Sequence, residues 1–297
     1  MIWLVGAGGM LGRELAGVLD GQNLRFEGTD REVDFTRPEA LEGFARGKAI
    51  QWIVNCAAYT AVDRAEEDRS ACHLLNAVGP QNLGRLASRI GARVLHVSTD
   101  YVFDGLSKRP YTEEDAVNPQ TVYGRTKAEG EVLLLAACPE SIIVRTAWLY
   151  GIHGPNFVAT MLRLMKEKDS FGVVADQYGA PTWAADLARV MLGVLARPPG
   201  PGGIFHASGE GQTTWHGFAK AIAEDAHLVG LLEENKSVEI HALKTSEYPT
   251  KALRPRWSVL SKAKLNSELG LAFPTWRDSL RSFLRGLSQL EKGRRQA

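Results

Sequence analysis

The sequence has few cysteines, almost no net charge and no long apolar run. Its three cysteines, Cys56, Cys72 and Cys138, lie far apart and lack the spacing of a metal site, so a reduced cytosolic protein is the simplest interpretation. A formal net charge of +1 argues against a nucleic-acid-binding surface. No segment approaches the roughly 20 apolar residues of a membrane span, and the N-terminus lacks the pattern of a signal peptide. We therefore expect a cytoplasmic protein that binds neither nucleic acid nor a membrane.

The first half of the chain alternates apolar runs with segments of helical spacing. With 297 residues, 44% of them hydrophobic, the chain can bury a sizeable core. Strands are predicted at "MIWLV", "NLRFEGTD", "IQWIVNCAA", "ARVLHVSTD" and "SIIVRTAWLY". This alternation predicts an α/β fold, a Rossmann-type doubly wound parallel sheet with helices on both faces. Right-handed crossovers place the C-terminal ends of the strands at one edge, where such sheets bind ligands.

After Tyr150 the alternation is less regular. Helices are predicted over 157–168, 184–195, 215–229 and 276–290, short strands near 171–174 and 204–206, and a turn-rich connector at 197–203. We therefore predict two parts, residues 1–150 and a smaller portion, 151–297, whose elements interleave with the sheet.

Three glycines, Gly6, Gly9 and Gly12, follow the first predicted strand and precede the first predicted helix. Glycine permits a tight turn and lets the backbone approach a pyrophosphate, whose charge is stabilised at a helix N-terminus. Glycine-rich turns are common, but this position in an alternating chain favours dinucleotide binding. Residues 1–150 would then form the dinucleotide-binding domain, and 151–297 would mainly bind substrate.

Asp30 ends the second predicted strand, at the place of an acid that binds the cofactor ribose. Arg31 beside it could instead meet a 2′-phosphate. A plain surface turn, "GTDRE", explains both residues almost as well. The choice between NADH and NADPH therefore stays open.

The segment after the third predicted strand, "NCAAYTAVD" (55–63), consists largely of small residues. These suit either a wall close to a flat cofactor or the packing of a helix on the sheet. Four acidic residues at its end and beyond it, Asp63, Glu66, Glu67 and Asp68, are interpreted as the solvated start of a helix.

The segment "HVSTDYVFDG" (96–105) places three short hydrogen-bonding side chains, Ser98, Thr99 and Asp100, directly after an apolar strand. Such residues also cap helices. Since the following "YVFDG" does not resemble the start of a helix, a ligand site is favoured.

Tyr123 and Lys127 are spaced four apart at the start of a predicted helix, so both side chains can reach one ligand. An ammonium near a phenol stabilises its anion and lowers the pKa of the phenol from its usual value near 10. The pair would then supply a general acid, and Lys127 could also hold the nicotinamide ribose. Alone, the spacing also fits an ordinary surface helix, but Thr99 and the glycine turn favour catalysis.

The chain resembles an extended short-chain dehydrogenase/reductase in five segments and in their order. These segments are "GAGGMLG", "NCAAYTAVD", "STDYVFDG", "VYGRTKAEGE" and "RTAWLYG". Two later segments, "DQYGAPTWAADLA" and "YPTKALRPRWSVL", are more particular. With them, essentially the whole chain resembles the dTDP-4-dehydrorhamnose reductase family.

This resemblance implies reduction of the C4 ketone of dTDP-4-dehydro-L-rhamnose to dTDP-L-rhamnose by NADPH or NADH. The resemblance implies that Tyr123 donates a proton to the ketone oxygen and that Lys127 tunes the acidity of Tyr123. It also implies that Thr99 hydrogen-bonds the same oxygen. Positions that match cofactor contacts are Gly9, Met10, Leu11, Asp34, Phe35, Ala58, Tyr59, Thr60, Tyr123 and Lys127. Positions that match sugar contacts are Thr99, Asp100 and Trp148. Arg254 is either a diphosphate clamp, which suits a guanidinium, or a surface arginine, and Asn156 and Gln177 either face the nucleotide or serve turns.

Some positions depart from the family pattern. Met10 stands where Gln is frequent, and Trp257 where a polar residue is frequent. Some members use Mg²⁺ in assembly, and Glu14 is suitably placed, but Ala185 stands where an acidic partner is expected. A metal is therefore possible but not supported, and no metal ligand is assigned.

Two other functions compete with the reductase. A related epimerase or dehydratase is one, although a dehydratase usually has Glu where this chain has Tyr101. A non-catalytic regulatory subunit is the other, and the complete set of Thr99, Tyr123 and Lys127 argues against it. A homodimer is possible.

Overall fold

The computed structural model describes residues 1–198, 200–233 and 235–296. Position 199 of the predicted connector and position 297 at the end of the predicted second part therefore lie outside the described residues. The strands are β1 (Ile2–Val5), β2 (Phe26–Thr29), β3 (Trp52–Asn55), β4 (Arg93–Thr99), β5 (Ile142–Thr146), β6 (Leu149–Tyr150), β7 (Ser170–Val174), β8 (Tyr178–Gly179), β9 (Thr182–Trp183), β10 (Gly203–His206), β11 (Thr213–Thr214) and β12 (Glu239–Leu243). The helices are α1 (Met10–Gly21), α2 (Pro38–Ala45), α3 (Val62–Ala65), α4 (Arg69–His73), α5 (Gly79–Ile90), α6 (Val122–Ala137), α7 (Phe157–Glu167), α8 (Ala184–Leu195), α9 (Trp215–Leu228), α10 (Ala263–Leu269) and α11 (Trp276–Gln296).

The centre of the molecule is a parallel six-stranded sheet in the order β10-β5-β4-β3-β1-β2. Strands β1 and β5 are buried along their whole length, and in β4 only Val97 is partly exposed, as expected for strands that are covered on both faces. The order of the strands in the sheet reverses at β1, so β2 and β3 lie on opposite sides of β1. In open α/β sheets such a reversal creates a crevice at the C-terminal ends of the strands.

Helices cover both faces of this sheet, as predicted. On one face, α1 and α8 bury an apolar cluster that includes Leu15 and Met191. On the other face, α2, α5 and α6 bury a second cluster around Leu41, Leu83 and Leu134. The predicted doubly wound parallel fold is therefore confirmed.

A third apolar cluster lies in the second half of the chain, where α7, α9 and α11 pack together around Phe218 and Leu284. Three two-stranded sheets, β11 with β8, β12 with β7, and β6 with β9, accompany it. The second half also contributes to the central sheet, because β10 pairs in parallel with β5. This is the interleaving that the sequence predicted.

The long elements and the short strands β7 and β10 were predicted, whereas α10 and short strands such as β8 and β11 were missed. The helix predicted over 184–195 is α8, with the same bounds. Between β3 and β4 the chain forms α4, a π-helical stretch at Leu74–Val78 and α5 in direct succession. α10 and the two-residue strands carry too few residues for a periodic signal. Within the described residues, no helix combines the length and the apolar character that a membrane crossing requires.

Candidate active site

A cleft of about 1190 Å³ runs along the C-terminal edge of the central sheet. Most of the residues predicted from the sequence line it. These are Gly6, Gly9, Met10, Leu11, Asp30, Asp34, Phe35, Ala58, Thr60, Thr99, Asp100, Tyr123, Lys127 and Trp148. Three predicted residues, Gly12, Tyr59 and Arg254, are not among the lining residues.

The glycine turn leaves room for a ligand close to its backbone. Gly6 has a φ of +80°, and a Cβ there would lie 2.7 Å from the backbone nitrogen of Ala57. A Cβ on Gly12 would lie 2.1 Å from the Gly6 carbonyl oxygen, so Gly12 serves the packing of the turn and not the cleft wall. α1 begins at Met10 without a side-chain cap, which leaves its first N–H groups free for an anion. These features fit the pyrophosphate of a dinucleotide.

The Asp30 side chain is tied to this turn, because its Oδ2 accepts a hydrogen bond from Gly8 N at 3.1 Å. Its own backbone N–H donates to Glu32 at 2.7 Å. The acidic side chains of positions 30 and 32 therefore flank Arg31 along the cleft. Asp30 thus orders a turn and borders the cleft, and its contact with a cofactor ribose stays a prediction.

Two other predicted cofactor contacts have structural partners. The Asp34 carboxylate accepts hydrogen bonds from the N–H and hydroxyl of Thr36, at 2.9 and 2.7 Å. Phe35 is buried, and a Cβ on Gly79 would lie 2.2 Å from its ring. Both residues also border the cleft. Their contact with a cofactor stays a prediction.

The helix that carries Tyr123 and Lys127 begins with two caps. The Thr121 hydroxyl accepts a hydrogen bond from Gly124 N at 3.0 Å, and Glu66 accepts one from Val122 N at 2.8 Å. These contacts fix the first turn of α6, where Tyr123 lies half-buried and faces the cleft. The Tyr123 ring packs edge-on against Tyr101, with 5.5 Å between centroids.

Lys127 is almost fully buried, with 1% of its surface exposed. Its Nζ donates to the Val97 carbonyl oxygen at 2.6 Å and lies 3.0 Å from His96 Nε2. Desolvation lowers the pKa of Lys127 to about 8, although the nearby Glu131 carboxylate acts in the opposite direction.

The sequence predicted a lowered pKa for Tyr123, and this expectation is wrong because the pKa is raised in this arrangement. Burial is the largest effect on the phenol and raises its pKa well above 10, while the Thr99 hydroxyl opposes that rise. Tyr123 therefore holds its proton firmly at neutral pH, which is the protonation state that a proton donor needs.

Thr99 and Asp100 lie where β4 ends. Thr99 Oγ1 donates to Asp100 Oδ1 at 2.9 Å, and Asp100 Oδ2 is buried without a partner among the described residues. Burial raises the pKa of Asp100 to about 6. A buried carboxylate oxygen at the cleft offers an acceptor for a ligand hydroxyl.

Trp148 adopts a backbone conformation that bulky residues rarely tolerate, with a φ of +49°. Its indole stacks on Trp215, with 3.5 Å between ring centroids, and a Cβ on Gly179 would lie 2.4 Å from it. Packing on both sides thus holds the strained residue against the cleft.

Arg254 lies beside the cleft with its guanidinium already paired. Its Nη2 forms an ion pair with Asp63, and its Nη1 donates to the Tyr101 hydroxyl at 3.2 Å. Lys251 pairs with Glu67, and Ala252 N donates to Asp63 at 3.0 Å. The strap that these residues form, 251–254, is therefore fastened to the segment after β3.

The acidic residues were interpreted as a solvated helix start, and Asp63 does lie in the first turn of α3, but these residues also have partners in the protein. Asp63 and Glu67 hold the strap, Glu66 caps α6, and Asp68 accepts from the Tyr59 hydroxyl at 3.2 Å. A run of acidic residues gives no sign of such partners, because most of the partners lie far away in the chain.

Asn156 and Gln177, for which two interpretations were open, both have hydrogen-bond partners within the protein, and neither is among the residues that line the cleft. Asn156 caps α7 by accepting from Ala159 N at 3.1 Å. Gln177 donates to Thr245 Oγ1 at 3.1 Å. In the described part of the chain, no group of three or more His, Cys, Asp or Glu side chains is arranged to hold a metal ion.

Comparison with known proteins agrees with this geometry. The family model described as "RmlD substrate binding domain" matches residues 1–289. The chain is 42% identical over 286 residues to the dTDP-4-dehydrorhamnose reductase of Aggregatibacter actinomycetemcomitans, covering 94% of this chain and 96% of that protein. The crystal structure of a dTDP-4-dehydrorhamnose reductase from Clostridium acetobutylicum matches with a TM-score of 0.90 at 41% identity, covering 96% and 99%. That of Bacillus anthracis, in complex with NADP, matches with a TM-score of 0.88 at 35% identity, covering 95% and 97%.

Proposed function

Because the chain belongs to the family described as the RmlD substrate binding domain, we propose that it is an NAD(P)H-dependent reductase. Its substrate is dTDP-4-dehydro-L-rhamnose, whose C4 ketone it reduces to give dTDP-L-rhamnose. The observation that carries the proposal is the meeting of Tyr123, Lys127 and Thr99 in the same cleft as the glycine turn. The names of the similar proteins support the substrate.

Bound reduced nicotinamide supplies the hydride. Tyr123 donates its proton to the ketone oxygen as negative charge develops there, and the Thr99 hydroxyl hydrogen-bonds the same oxygen. Lys127 stabilises the tyrosinate that this transfer leaves behind. Because the proton is given up only as the alkoxide forms, the high pKa of Tyr123 prevents its loss beforehand. Tyr123 then regains a proton from solvent.

The cofactor end of the cleft is built by residues 1–150, and residues 151–297 mainly bind the sugar nucleotide. Asp100 and Trp148 contact the sugar, and Arg254 leaves Asp63 to hold the diphosphate. This division is our proposal, as is a cytoplasmic location. We also propose a homodimer, and sedimentation of the purified protein would test this oligomeric state.

An epimerase or dehydratase is less well supported. Position 101 carries Tyr101, whose hydroxyl accepts from Arg254, and burial raises the pKa of this phenol to about 12. It therefore offers no carboxylate for the proton abstraction that a dehydratase performs. A regulatory subunit would not need the buried arrangement of Lys127.

The experiment is to follow the absorbance of NADPH and NADH with an enzymatically generated dTDP-4-keto-6-deoxy sugar, with and without a 3,5-epimerase. We expect oxidation of the cofactor only when the epimerase supplies the L-configured ketone. Oxidation without the epimerase would indicate a different sugar, and no oxidation in either case would refute the reductase.

A further inference from the structure

His96 lies in the middle of β4, fully buried, with both ring nitrogens engaged. Its Nε2 lies 3.0 Å from Lys127 Nζ, and its Nδ1 lies 3.0 Å from Asn55 Nδ2. The ring therefore joins Lys127 of the active site to an amide on β3. The proposed reaction gives neither His96 nor Asn55 a role.

The orientation of the Asn55 amide follows from a third contact. Asn55 Oδ1 accepts a hydrogen bond from Ala57 N at 3.0 Å, so the amide NH₂ group faces His96. An NH₂ group only donates, and Nδ1 must then accept. Since a neutral imidazole has one donor and one acceptor, its proton is on Nε2, which faces Lys127.

This assignment conflicts with a charged Lys127. An ammonium group has three donors and no acceptor, so it cannot accept from Nε2–H. A neutral amine can accept there while it donates to the Val97 carbonyl oxygen. If Lys127 is charged, the ring proton must be on Nδ1, where it meets the Asn55 NH₂ group. Asn55 can receive that proton only by rotating its amide and giving up Ala57 N–H.

The charged groups around this pair come from several elements. Along α6, Tyr123 lies one turn before Lys127 and Glu131 one turn after it, and α4 contributes the Cys72 thiol. Arg145 on β5 forms a bidentate ion pair with Glu131, at 2.9 and 2.6 Å. Desolvation, with the nearby Lys127 charge, lowers the pKa of His96 well below its usual value, so the ring stays neutral. The pair therefore carries at most one positive charge.

We propose that His96 is a positioning residue for Lys127, whose ring tautomer switches when Lys127 gains or loses its charge. Asn55 stabilises the tautomer that goes with the neutral amine. On protonation the pair gains one proton in total: the amine takes the proton from Nε2, and Nδ1 takes up one from solvent. Asn55 thereby determines how readily Lys127 becomes charged.

The test is nuclear magnetic resonance of the full chain labelled with ¹⁵N-histidine, in which long-range ¹H–¹⁵N correlations distinguish the two tautomers. The chain has seven histidines, and the variant His96→Asn identifies the signals of His96. We expect the Nε2–H tautomer at high pH and the Nδ1–H tautomer at low pH. The midpoint should follow the pKa of Lys127, about 8.

Two variants separate this switch from a merely structural histidine. Lys127→Met should keep the Nε2–H tautomer at every pH. In Asn55→Asp, a carboxylate can accept from both Nδ1–H and Ala57 N–H, so the Nδ1–H tautomer should persist to a pH at least about one unit higher. A single tautomer in the wild type at every pH, or the same titration in Lys127→Met, would overturn the proposal. If Lys127→Met does not fold by circular dichroism, the wild type and Asn55→Asp decide the question.

A kinetic measurement links the switch to catalysis and rests on the proposed function. The pH profile of kcat should move upward in Asn55→Asp by the same amount as the tautomer midpoint, and an unmoved profile would remove the catalytic part of the proposal. If the wild type reduces no sugar nucleotide, the proposed reductase fails, while the tautomer measurement still decides the role of His96.

Discussion

The two ends of the cleft are built in different ways. At the glycine turn, backbone groups that are close in sequence form the surface, and a Cβ at Gly12 would collide with it. At the catalytic end, side chains depend on partners that are distant in the chain, as Lys127 does on His96 and Arg254 does on Asp63. A backbone surface tolerates the loss of a polar side chain, whereas a buried network of side chains does not. We therefore expect substitutions at the catalytic end to have the larger effects.

The largest effect is expected for Tyr123→Phe. The ring still packs against Tyr101, so the fold and the affinity for NADPH should survive. Loss of a general acid typically costs 10²–10⁴-fold, and it should lower kcat, since the proton moves only in the transition state. Steady-state assays measure kcat, and cofactor fluorescence measures the affinity for NADPH. Tyr248→Phe, at an exposed tyrosine, is the control, and near-wild-type turnover of Tyr123→Phe would mean that the proton comes from elsewhere.

Asp100→Asn should change how stability depends on pH. Because burial raises the pKa of Asp100 from 3.8 to about 6, the folded state binds more protons than the unfolded state between these values. The stability of the wild type therefore falls as pH rises through this window, by roughly 3 kcal/mol for such a difference in pKa. The asparagine does not titrate and should lose this dependence.

Urea unfolding of wild type and Asp100→Asn at both ends of that pH window measures the difference. The same substitution at the exposed Asp20 should leave the pH dependence unchanged. An equal pH dependence in wild type and Asp100→Asn would show that Asp100 is not the group responsible.

Arg254→Ala tests whether the strap arginine turns to the substrate. A charge-assisted contact is worth about 1.5–3 kcal/mol, so KM for the sugar nucleotide should rise at least about tenfold with cofactor binding intact. Asp63→Asn is the matched variant: it removes the ion pair but keeps Arg254, and KM should not rise. An equal rise in both variants would mean that the ion pair itself is what matters, and an unchanged KM in Arg254→Ala would leave Arg254 a surface residue.

The smallest effect is expected at the cofactor end. Wild type should use both reduced nicotinamides without a large gap, and Asp30→Ala should shift the preference towards NADPH by removing a negative charge near the 2′-phosphate. The shift should be modest, because Glu32 remains beside the cleft. The ratio of kcat/KM for the two cofactors measures it, with Glu32→Gln as a comparison. Strict use of one cofactor by the wild type, unchanged in Asp30→Ala, would contradict this prediction.

The difference between the two ends of the cleft, one built from local backbone and one from distant side chains, also explains which features the sequence could predict. The sheet, its two covered faces and α8 follow from hydrophobic periodicity, which is a local signal. The glycine turn and the spacing of Tyr123 and Lys127 are local as well. Each could therefore be located before the fold was known.

The contacts around Lys127 and Arg254 could not be predicted in this way. His96 reads as one more residue of a buried strand, and only the register of β4 beside β3 and α6 brings it between Asn55 and Lys127. The acidic residues from Asp63 to Asp68 look like any solvated helix start. The high pKa of Tyr123 depends on how deeply its phenol is buried, which spacing alone does not reveal.

The pairing of β10 with β5 also bears on how the protein is made. β5 ends at Thr146, and the strand that covers its outer edge begins only at Gly203. At roughly 5–20 residues per second, several seconds of translation separate the two strands. Throughout that interval a nascent chain carries the uncovered edge of a strand, "IIVRT", whose residues are all buried in the folded protein, and such edges recruit other chains. A fragment that stops at residue 150 keeps that edge permanently, so we expect it to aggregate although it contains the whole glycine turn and both Tyr123 and Lys127.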